Sequence, residues 1–302
     1  MKGGTHQRSG YDSPMPRWTV LAALCLLAAA CSPAEPAPST TTTAPVSTTT
    51  TAQRAVDPCV SGDLEFDADG LIAALGESLS DATQIDGIRW DDHGSCERIT
   101  LSFTTDRGAP AATLGVTGVT VLALAGIVRI TLPDDVSGSA VADMLVDGDI
   151  ARSAYVVSDV AGKLLVDIHA AEDVPIAARA FTTDSPATLV VDLVTNPEGP
   201  NPAGASRSQT AVIVAPPSGP ALYPFTVEAY AAPALRSTRI QLERSDVVAV
   251  DQTVSLPSRP DAWQLISVRI EDGPSGPTTL FVGQVDANDR PLEGARAVLD
   301  LP

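Results

Sequence analysis

Hydrophobic and polar residues alternate with a period of two along much of the chain after residue 96. Between Glu97 and Phe103, the residues Ile99, Leu101 and Phe103 are apolar and those between them are polar. This is the pattern of a β-strand with one face in a core. Runs rich in Val, Ile, Leu and Thr predict further strands at 119–132 (two strands around Gly126), 153–160, 163–169 and 188–194.

A second series of strand-like runs occupies the C-terminal third of the chain. The runs are short, are separated by turn residues, and lie at 211–215, 225–232, 238–244, 247–256, 263–271, 278–287 and 295–301. Such spacing is typical of an immunoglobulin-like β-sandwich, and we expect Trp263 to lie at the centre of its core. The Pro/Gly-rich segment 197–209 separates the two series and predicts a linker.

The stretch before the first strand has a different period. Between residues 69 and 82, the apolar residues Leu71, Ile72, Leu75 and Leu79 follow a helical spacing, which predicts a short amphipathic helix. The pattern as a whole predicts a mainly β chain with two β-sandwich domains, at 57–196 and 210–302.

The first thirty residues have the features of a secretory signal peptide. Basic residues precede an apolar run from residue 18 to residue 30, which is shorter than the roughly 20 residues of a membrane-spanning helix. The small residues before Cys31 resemble a bacterial lipobox, so we expect cleavage between Ala30 and Cys31 and attachment of a diacylglycerol to Cys31. Ordinary signal cleavage, which would release the protein, is the alternative.

Residues 31–56 form the predicted tether behind this lipid. Between residues 32 and 52 the chain consists mostly of Pro, Ser and Thr, and Val46 is the one large hydrophobic residue. Such a segment cannot bury enough apolar surface to offset the entropy of ordering, so we expect it to be disordered. Anchored in this way, the protein is expected at the outer face of the cytoplasmic membrane.

The charge of the chain excludes one class of partner. The formal net charge is −18, and it becomes −20 without residues 1–30. Nucleic-acid binding depends on clustered Lys and Arg that neutralise phosphates, and Lys163 is the one lysine after residue 30. We therefore expect no nucleic-acid partner.

Cysteine usage predicts one disulfide. If Cys25 leaves with the signal peptide and Cys31 is acylated, Cys59 and Cys96 remain. Outside the cytoplasm, two cysteines of one folded unit most often pair. A metal site would need more ligands than these two thiols, and the spacing is not that of a Cys-x-x-Cys redox pair.

Three segments of the first body carry a family resemblance. They are Asp86-Gly87-Ile88-Arg89-Trp90-Asp91-Asp92-His93-Gly94-Ser95-Cys96-Glu97-Arg98-Ile99, the Val-rich stretch 118–132, and 181–192 with Pro186 and Leu189-Val190-Val191-Asp192. Residues 85–194 resemble the AMIN-like domain of actinobacterial envelope proteins, a β-sandwich related to the module that localises cell-wall amidases. The resemblance implies contact with peptidoglycan or with wall-processing proteins, and His93 and Arg98 in the first motif become candidate binding residues.

The second body carries a resemblance of its own. The residues are Val212-Ile213-Val214-Ala215-Pro216-Pro217 and Phe225-Thr226-Val227-Glu228-Ala229-Tyr230-Ala231. Residues 210–302 are similar to the immunoglobulin-like domain found in bacterial spore-germination proteins and lipoproteins.

The sequence offers little for catalysis. A zinc hydrolase needs three protein ligands and an open position, whereas His93 and His169 are the histidines that remain after residue 30. His169 shares its strand face with Lys163, Leu165 and Asp167, so we expect a solvated histidine. No Gly-x-Ser-x-Gly elbow or phosphate-binding loop occurs. We expect no catalytic residue, no metal site and no cofactor.

Two acidic segments are candidate calcium sites. Glu65-x-Asp67-x-Asp69-Gly70 resembles the start of an EF-hand loop, but Gly76 stands where the bidentate glutamate should be. The segment 286–289 (Asp-Ala-Asn-Asp) is interpreted first as a β-turn. Neither is expected to hold calcium.

These features favour a non-catalytic, lipid-anchored binding or scaffold protein of the cell envelope. Its expected partners are the membrane, through the lipid, and a cell-wall polymer or envelope protein. The alternative is an extracytoplasmic accessory subunit that regulates an envelope enzyme or transporter.

Overall fold

The computed structural model describes Cys59 and residues 65–233, 235–245, 247–257 and 259–302. The predicted signal peptide and tether lie outside the described residues. The predicted cleavage site at Ala30 and the predicted lipidation of Cys31 lie outside them as well.

The predicted mainly β fold is confirmed. The described residues contain twenty strands and one 3-10 helix at Ala123–Ala125. The first eleven strands are β1 (Gly70–Leu75), β2 (Gln84–Asp92), β3 (Glu97–Thr104), β4 (Thr117–Leu122), β5 (Ile127–Thr131), β6 (Gly138–Ser139), β7 (Asp143–Leu145), β8 (Ala151–Ser158), β9 (Leu164–Ala170), β10 (Ile176–Thr183) and β11 (Thr188–Thr195). The others are β12 (Ser206–Arg207), β13 (Ala211–Ala215), β14 (Gly219–Pro220), β15 (Phe225–Ala231), β16 (Ser237–Arg244), β17 (Val247–Ser255), β18 (Trp263–Ile270), β19 (Gly276–Val285) and β20 (Pro291–Leu301).

The strands form three sheets. A ten-stranded sheet runs in the order β1-β4-β5-β9-β8-β18-β15-β13-β12, with β7 paired to β8. One five-stranded sheet has the order β10-β11-β3-β2-β6, and the other has the order β14-β20-β19-β16-β17. Strands from both predicted bodies therefore belong to the same large sheet.

Each body has its own apolar core. In the first, Ile99, Leu101 and Phe103 of β3 are buried against the large sheet, on the face that the alternation predicts. In the second, apolar residues of β13, β15 and β18 pack against those of β16, β19 and β20. Burial of these side chains is the main source of stability for sheets that are packed face to face.

The two bodies are joined directly. Strand β18 pairs in parallel with β8, through Trp263 with Val157 and Gln264 with Ser158. Close to this junction, Arg259 donates hydrogen bonds to the Ser158 hydroxyl at 3.2 Å and to the Gly162 carbonyl at 3.0 Å. Residues 54–302 form one compact unit.

The predicted helix between residues 69 and 82 was wrong, because Gly70–Leu75 forms β1, which pairs antiparallel with β4, and the rest of the segment is not helical. A register shift between Leu71 and Ala73 lets Ile72 and Leu75 pack on the first core, while Leu71 stays 68% exposed. The strand ends at Leu75, and in the next residue, Gly76, φ is +89° and an added Cβ would lie 2.2 Å from the Gly115 carbonyl oxygen. Pairing with β4 outweighs the helical spacing of the apolar residues.

Candidate functional site

The most unusual set of side chains lies at the junction of the two bodies. We call it the interface cluster, and it consists of Arg129, Tyr155, Asp167, His169, Tyr230 and Trp263. The first four belong to neighbouring strands of the first body, and the last two belong to the second body. Apolar residues including Val157 and Val212 pack with the aromatic members of the cluster.

Asp167 is the charged centre of the cluster. It is fully buried and accepts two hydrogen bonds from Arg129, Nε to Oδ1 at 2.9 Å and Nη2 to Oδ2 at 2.7 Å. The hydroxyl of Tyr230, from the other body, also donates to Asp167 Oδ2. Burial raises the pKa of Tyr230 well above its ordinary value, and the neighbouring carboxylate adds to this effect. Tyr230 therefore remains a neutral donor, and the buried carboxylate keeps the partners that it needs.

His169 lies beside this ion pair and is only 1% exposed. Its ring meets those of Tyr155 and Tyr230 edge to face, with centroid distances of 5.3 and 5.8 Å. Its Nε2 atom has no hydrogen-bond partner among the described residues. Burial is the main cause that lowers the pKa of His169 to about 3. The Asp167 carboxylate raises this pKa, and the nearby Arg207 and Arg129 lower it. The imidazole is neutral at physiological pH.

The prediction that His169 is solvated was wrong. The face of β9 that carries Leu165, Asp167 and His169 appears polar in the sequence, but the second body covers it. All seven residues of β9 are buried, as in a strand that is covered on both faces.

Trp263 belongs to this cluster and not to the core of the second body. Its indole Nε1–H donates to Asp143 Oδ2 at 2.7 Å, and its ring packs edge to face on Tyr155 with centroids 5.1 Å apart. The expectation of a central tryptophan in the second sandwich is thereby corrected, because the indole reaches across to β7 and β8. The cluster joins the two bodies with two hydrogen bonds to carboxylates and with edge-to-face contacts between aromatic rings.

Arg98, a predicted binding residue, is engaged in a second buried ion cluster. Its Nε and Nη2 donate to Asp192 at 2.6 and 2.9 Å, and Arg179 donates to the same carboxylate at 3.0 Å. Asp192 is fully buried and Arg179 is 5% exposed. The guanidiniums of Arg98 and Arg179 also lie over the rings of Phe181 and Phe66. This geometry gives Arg98 a role in holding β3 and β11 together.

His93, the other predicted binding residue, lies in the exposed turn between β2 and β3. The turn is closed by a hydrogen bond from the His93 N–H to the Cys96 carbonyl at 3.0 Å and by one from Gly94 N–H to Asp92 Oδ1 at 2.7 Å. The predicted disulfide between Cys59 and Cys96 is present, with the two Cα atoms 6.0 Å apart. The bridge ties the segment before β1 to the start of β3.

Of the two acidic segments considered as calcium sites, one forms a backbone bridge and the other forms a turn. Asp67 pairs through its backbone with Ala178. Asp286 accepts backbone hydrogen bonds from Asn288 at 2.8 Å and Arg290 at 3.0 Å, which lower the pKa of its carboxyl group. The predicted β-turn at 286–289 is therefore confirmed. Within the described ranges, no group of three or more His, Cys, Asp or Glu side chains is arranged to hold a metal ion.

Comparisons with protein-family models, with curated proteins and with solved structures gave no match for this chain. The similarity to AMIN-like and immunoglobulin-like domains therefore stays a prediction based on the motifs quoted above. In the part of the chain that the structure describes, no helix has the length and apolar character needed to cross a bilayer.

Proposed function

We propose that the protein is a non-catalytic, lipid-anchored scaffold of the cell envelope that binds a wall component or another envelope protein. The observation that carries this proposal is that the buried charged and aromatic side chains contact one another and hold the strands together. Three side chains capable of acid–base chemistry, Asp167, His169 and Asp192, are buried within structural clusters.

A general acid or base must reach its substrate and change protonation near the working pH. His169 meets neither condition, because it is closed off by the junction of the two bodies and its pKa is about 3. Asp192 is occupied by Arg98 and Arg179. The burial and pairing of these groups therefore indicate a structural role, which is what a scaffold requires.

A scaffold also needs a surface whose parts keep a fixed arrangement. Residues 54–302 form one compact unit, and the interface cluster and the β8–β18 pairing lock the second body to the first. The features predicted for residues 31–56, a lipidated Cys31 and a tether, would hold this unit at the outer face of the membrane.

Charge influences the choice of partner. Without residues 1–30 the net charge is −20, so anionic wall polymers are repelled from most of the surface unless cations bridge them. This favours a protein, or an uncharged or zwitterionic part of the wall, as the binding partner.

The anchor is tested by expressing the full chain in a bacterium that processes lipoproteins and labelling it with a palmitate analogue. We expect the wild type to be labelled and to sediment with membranes, and Cys31→Ala to lose both properties. Cys25→Ala is the matched control and should behave like the wild type. Labelling of Cys31→Ala, or a wild type that is neither labelled nor sedimented, would refute the anchor.

Wall binding is tested separately with the same purified chain. We expect more of it to be recovered on insoluble peptidoglycan than on an inert resin of equal surface. Equal recovery on the two materials rules out the wall as partner and leaves an envelope protein.

The alternative, an accessory subunit that docks on an envelope enzyme or transporter, is favoured by one feature of the second body. Strand β17 has nine residues and lies at the end of its sheet, and Val247 and Val248 are 64% and 39% exposed. An exposed apolar edge strand can pair with an extended strand of a partner protein. In vivo cross-linking from position 248 should then yield a defined partner adduct that Val247→Lys abolishes, and an adduct that survives this change would count against docking at β17.

A further inference from the structure

An open cavity of about 570 Å³ lies beside the junction of the two bodies. Part of the predicted linker lines this cavity, because Ser206 and Arg207 form β12 and belong to one of its walls. Charged and small residues dominate the lining, among them Arg152, Glu172, Asp173, Ser206, Arg207 and Pro217. The volume is within the range of about 300–1,000 Å³ that is usual for small-ligand pockets.

Arg207 is the first sign that this cavity takes a ligand. Its Nη1 donates to the hydroxyl of the buried Ser153 at 2.9 Å. Among the described residues it has no carboxylate within ion-pair distance, although the chain contains 37 acidic residues. A guanidinium has five N–H donors, so this single hydroxyl leaves most of them available to a ligand.

Arg152 adds a second positive charge to the same cavity. Its pair with Asp147 is long, 3.5 Å, and both side chains are exposed. Such a pair contributes little and is easily exchanged for a better partner. Two arginines are thus available to a carboxylate, which a guanidinium binds through paired hydrogen bonds.

The cavity also contains unpaired negative charge. Glu172 and Asp173, in the turn between β9 and β10, line it. Within the described part of the chain, neither acid forms an ion pair with Arg152 or Arg207. The cavity therefore presents both signs of charge without neutralising them internally.

We propose that this cavity binds a short zwitterionic peptide, whose carboxylate contacts Arg152 and Arg207 and whose ammonium group contacts Glu172 and Asp173. A purely anionic ligand would be repelled by the net negative charge of the chain and would leave the two acids without a partner, and a purely cationic one would leave the two arginines without a carboxylate. A zwitterion avoids both penalties.

The position of β12 favours a peptide over a free amino acid. Strand β12 is the last strand of the ten-stranded sheet, and its outer edge pairs with no other strand among the described residues. An extended peptide can add to such an edge through its own backbone while its charged ends meet the side chains. This inference goes beyond the proposed function, because it depends neither on the lipid anchor nor on binding to the wall.

The probe is trialanine, titrated into the purified full chain and followed by calorimetry. Three blocked forms are titrated in parallel: N-acetyl trialanine, trialanine amide, and the peptide blocked at both ends. We expect the free peptide to bind, and each single block to weaken binding about tenfold, since each removes a charge-assisted contact. Absence of binding by trialanine, or equal binding of the free and the doubly blocked peptide, would overturn the proposal.

Variants locate the site. Arg207→Gln and Arg152→Gln should each weaken binding of trialanine about tenfold and remove its preference over trialanine amide. Arg269→Gln is the matched control. Arg269 is exposed on β18, its Nε lies 2.9 Å from Glu271 Oε1, and it does not line the cavity. If Arg207→Gln fails to fold, Arg152→Gln decides the question. Wild-type affinity in Arg152→Gln would refute this site.

Discussion

The buried His169 predicts how stability responds to acid. Its pKa is about 3 in the folded protein and 6.5 in the unfolded chain, so between these values the unfolded state binds more protons. The free energy of unfolding must therefore fall as the pH drops below 6.5. This contribution is fully present above pH 6.5 and is lost progressively toward pH 3.

The size of the effect follows from the two pKa values. At pH 5 the imidazole of the unfolded chain is almost fully protonated, and that of the folded chain is neutral. The resulting loss is about 2 kcal/mol relative to pH 7.5, at 1.36 kcal/mol per pKa unit. Because pH 5 lies well above the folded-state value, the unfolded-state pKa alone determines this loss.

The test is His169→Phe, which keeps an aromatic ring between Tyr155 and Tyr230. Urea unfolding of wild type and variant is measured between pH 5 and 7.5. We expect the wild type to lose about 2 kcal/mol more than the variant over this range. At pH 7.5 the variant should be at least as stable, because it removes the unpaired Nε2.

His93→Gln is the control, because this side chain lies in an exposed turn, and it should keep the wild-type profile. Parallel pH profiles for the wild type and His169→Phe would show that His169 becomes protonated in the folded protein or is not buried. Either result would refute the description of the interface cluster.

Three further changes test other parts of the fold by urea unfolding. Asp192→Asn should cost about 3–5 kcal/mol, since it leaves two arginines beside a neutral amide, and a loss below about 1 kcal/mol would contradict the buried ion cluster. Replacing both Cys59 and Cys96 by Ala should cost about 4 kcal/mol, because the bridge closes a loop of 37 residues, and an unchanged midpoint would count against the bridge. Gly294→Ala should cost about 1–3 kcal/mol, since its Cβ would lie 2.3 Å from a carbonyl oxygen of β19. Gly87→Ala, where the nearest atom is 3.5 Å away, should cost less, and equal losses would speak against this close approach.

Strands with strong alternation or many β-branched residues were predictable from the sequence. The predicted run 211–215 coincides with β13, and the two strands expected around Gly126 are β4 and β5, with Gly126 at φ +63° between them. Strand β10 was missed because Ile176–Thr183 contains three alanines and carries little β propensity of its own. It forms because β11 offers an edge with eight matching positions.

The interface cluster could not be predicted by inspecting one body at a time. Asp167 and His169 alternate with apolar residues of β9, and a solvent-facing strand face has the same pattern. Their burial depends on Tyr230 and Trp263, which are far away in the sequence. The available signal was the apolar Leu165 on the supposedly polar face, and Tyr230, a large aromatic with a hydroxyl that needs a buried partner.

The parallel pairing of β8 with β18 affects how chains of this kind can diverge. A module attached through a free linker can be duplicated or exchanged by recombination without harm to its neighbour. Here, exchange of either half would remove the backbone partner of one strand and leave Tyr155 without Trp263. The two halves are therefore expected to be inherited together, with substitutions at these two aromatic positions accepted as matched pairs.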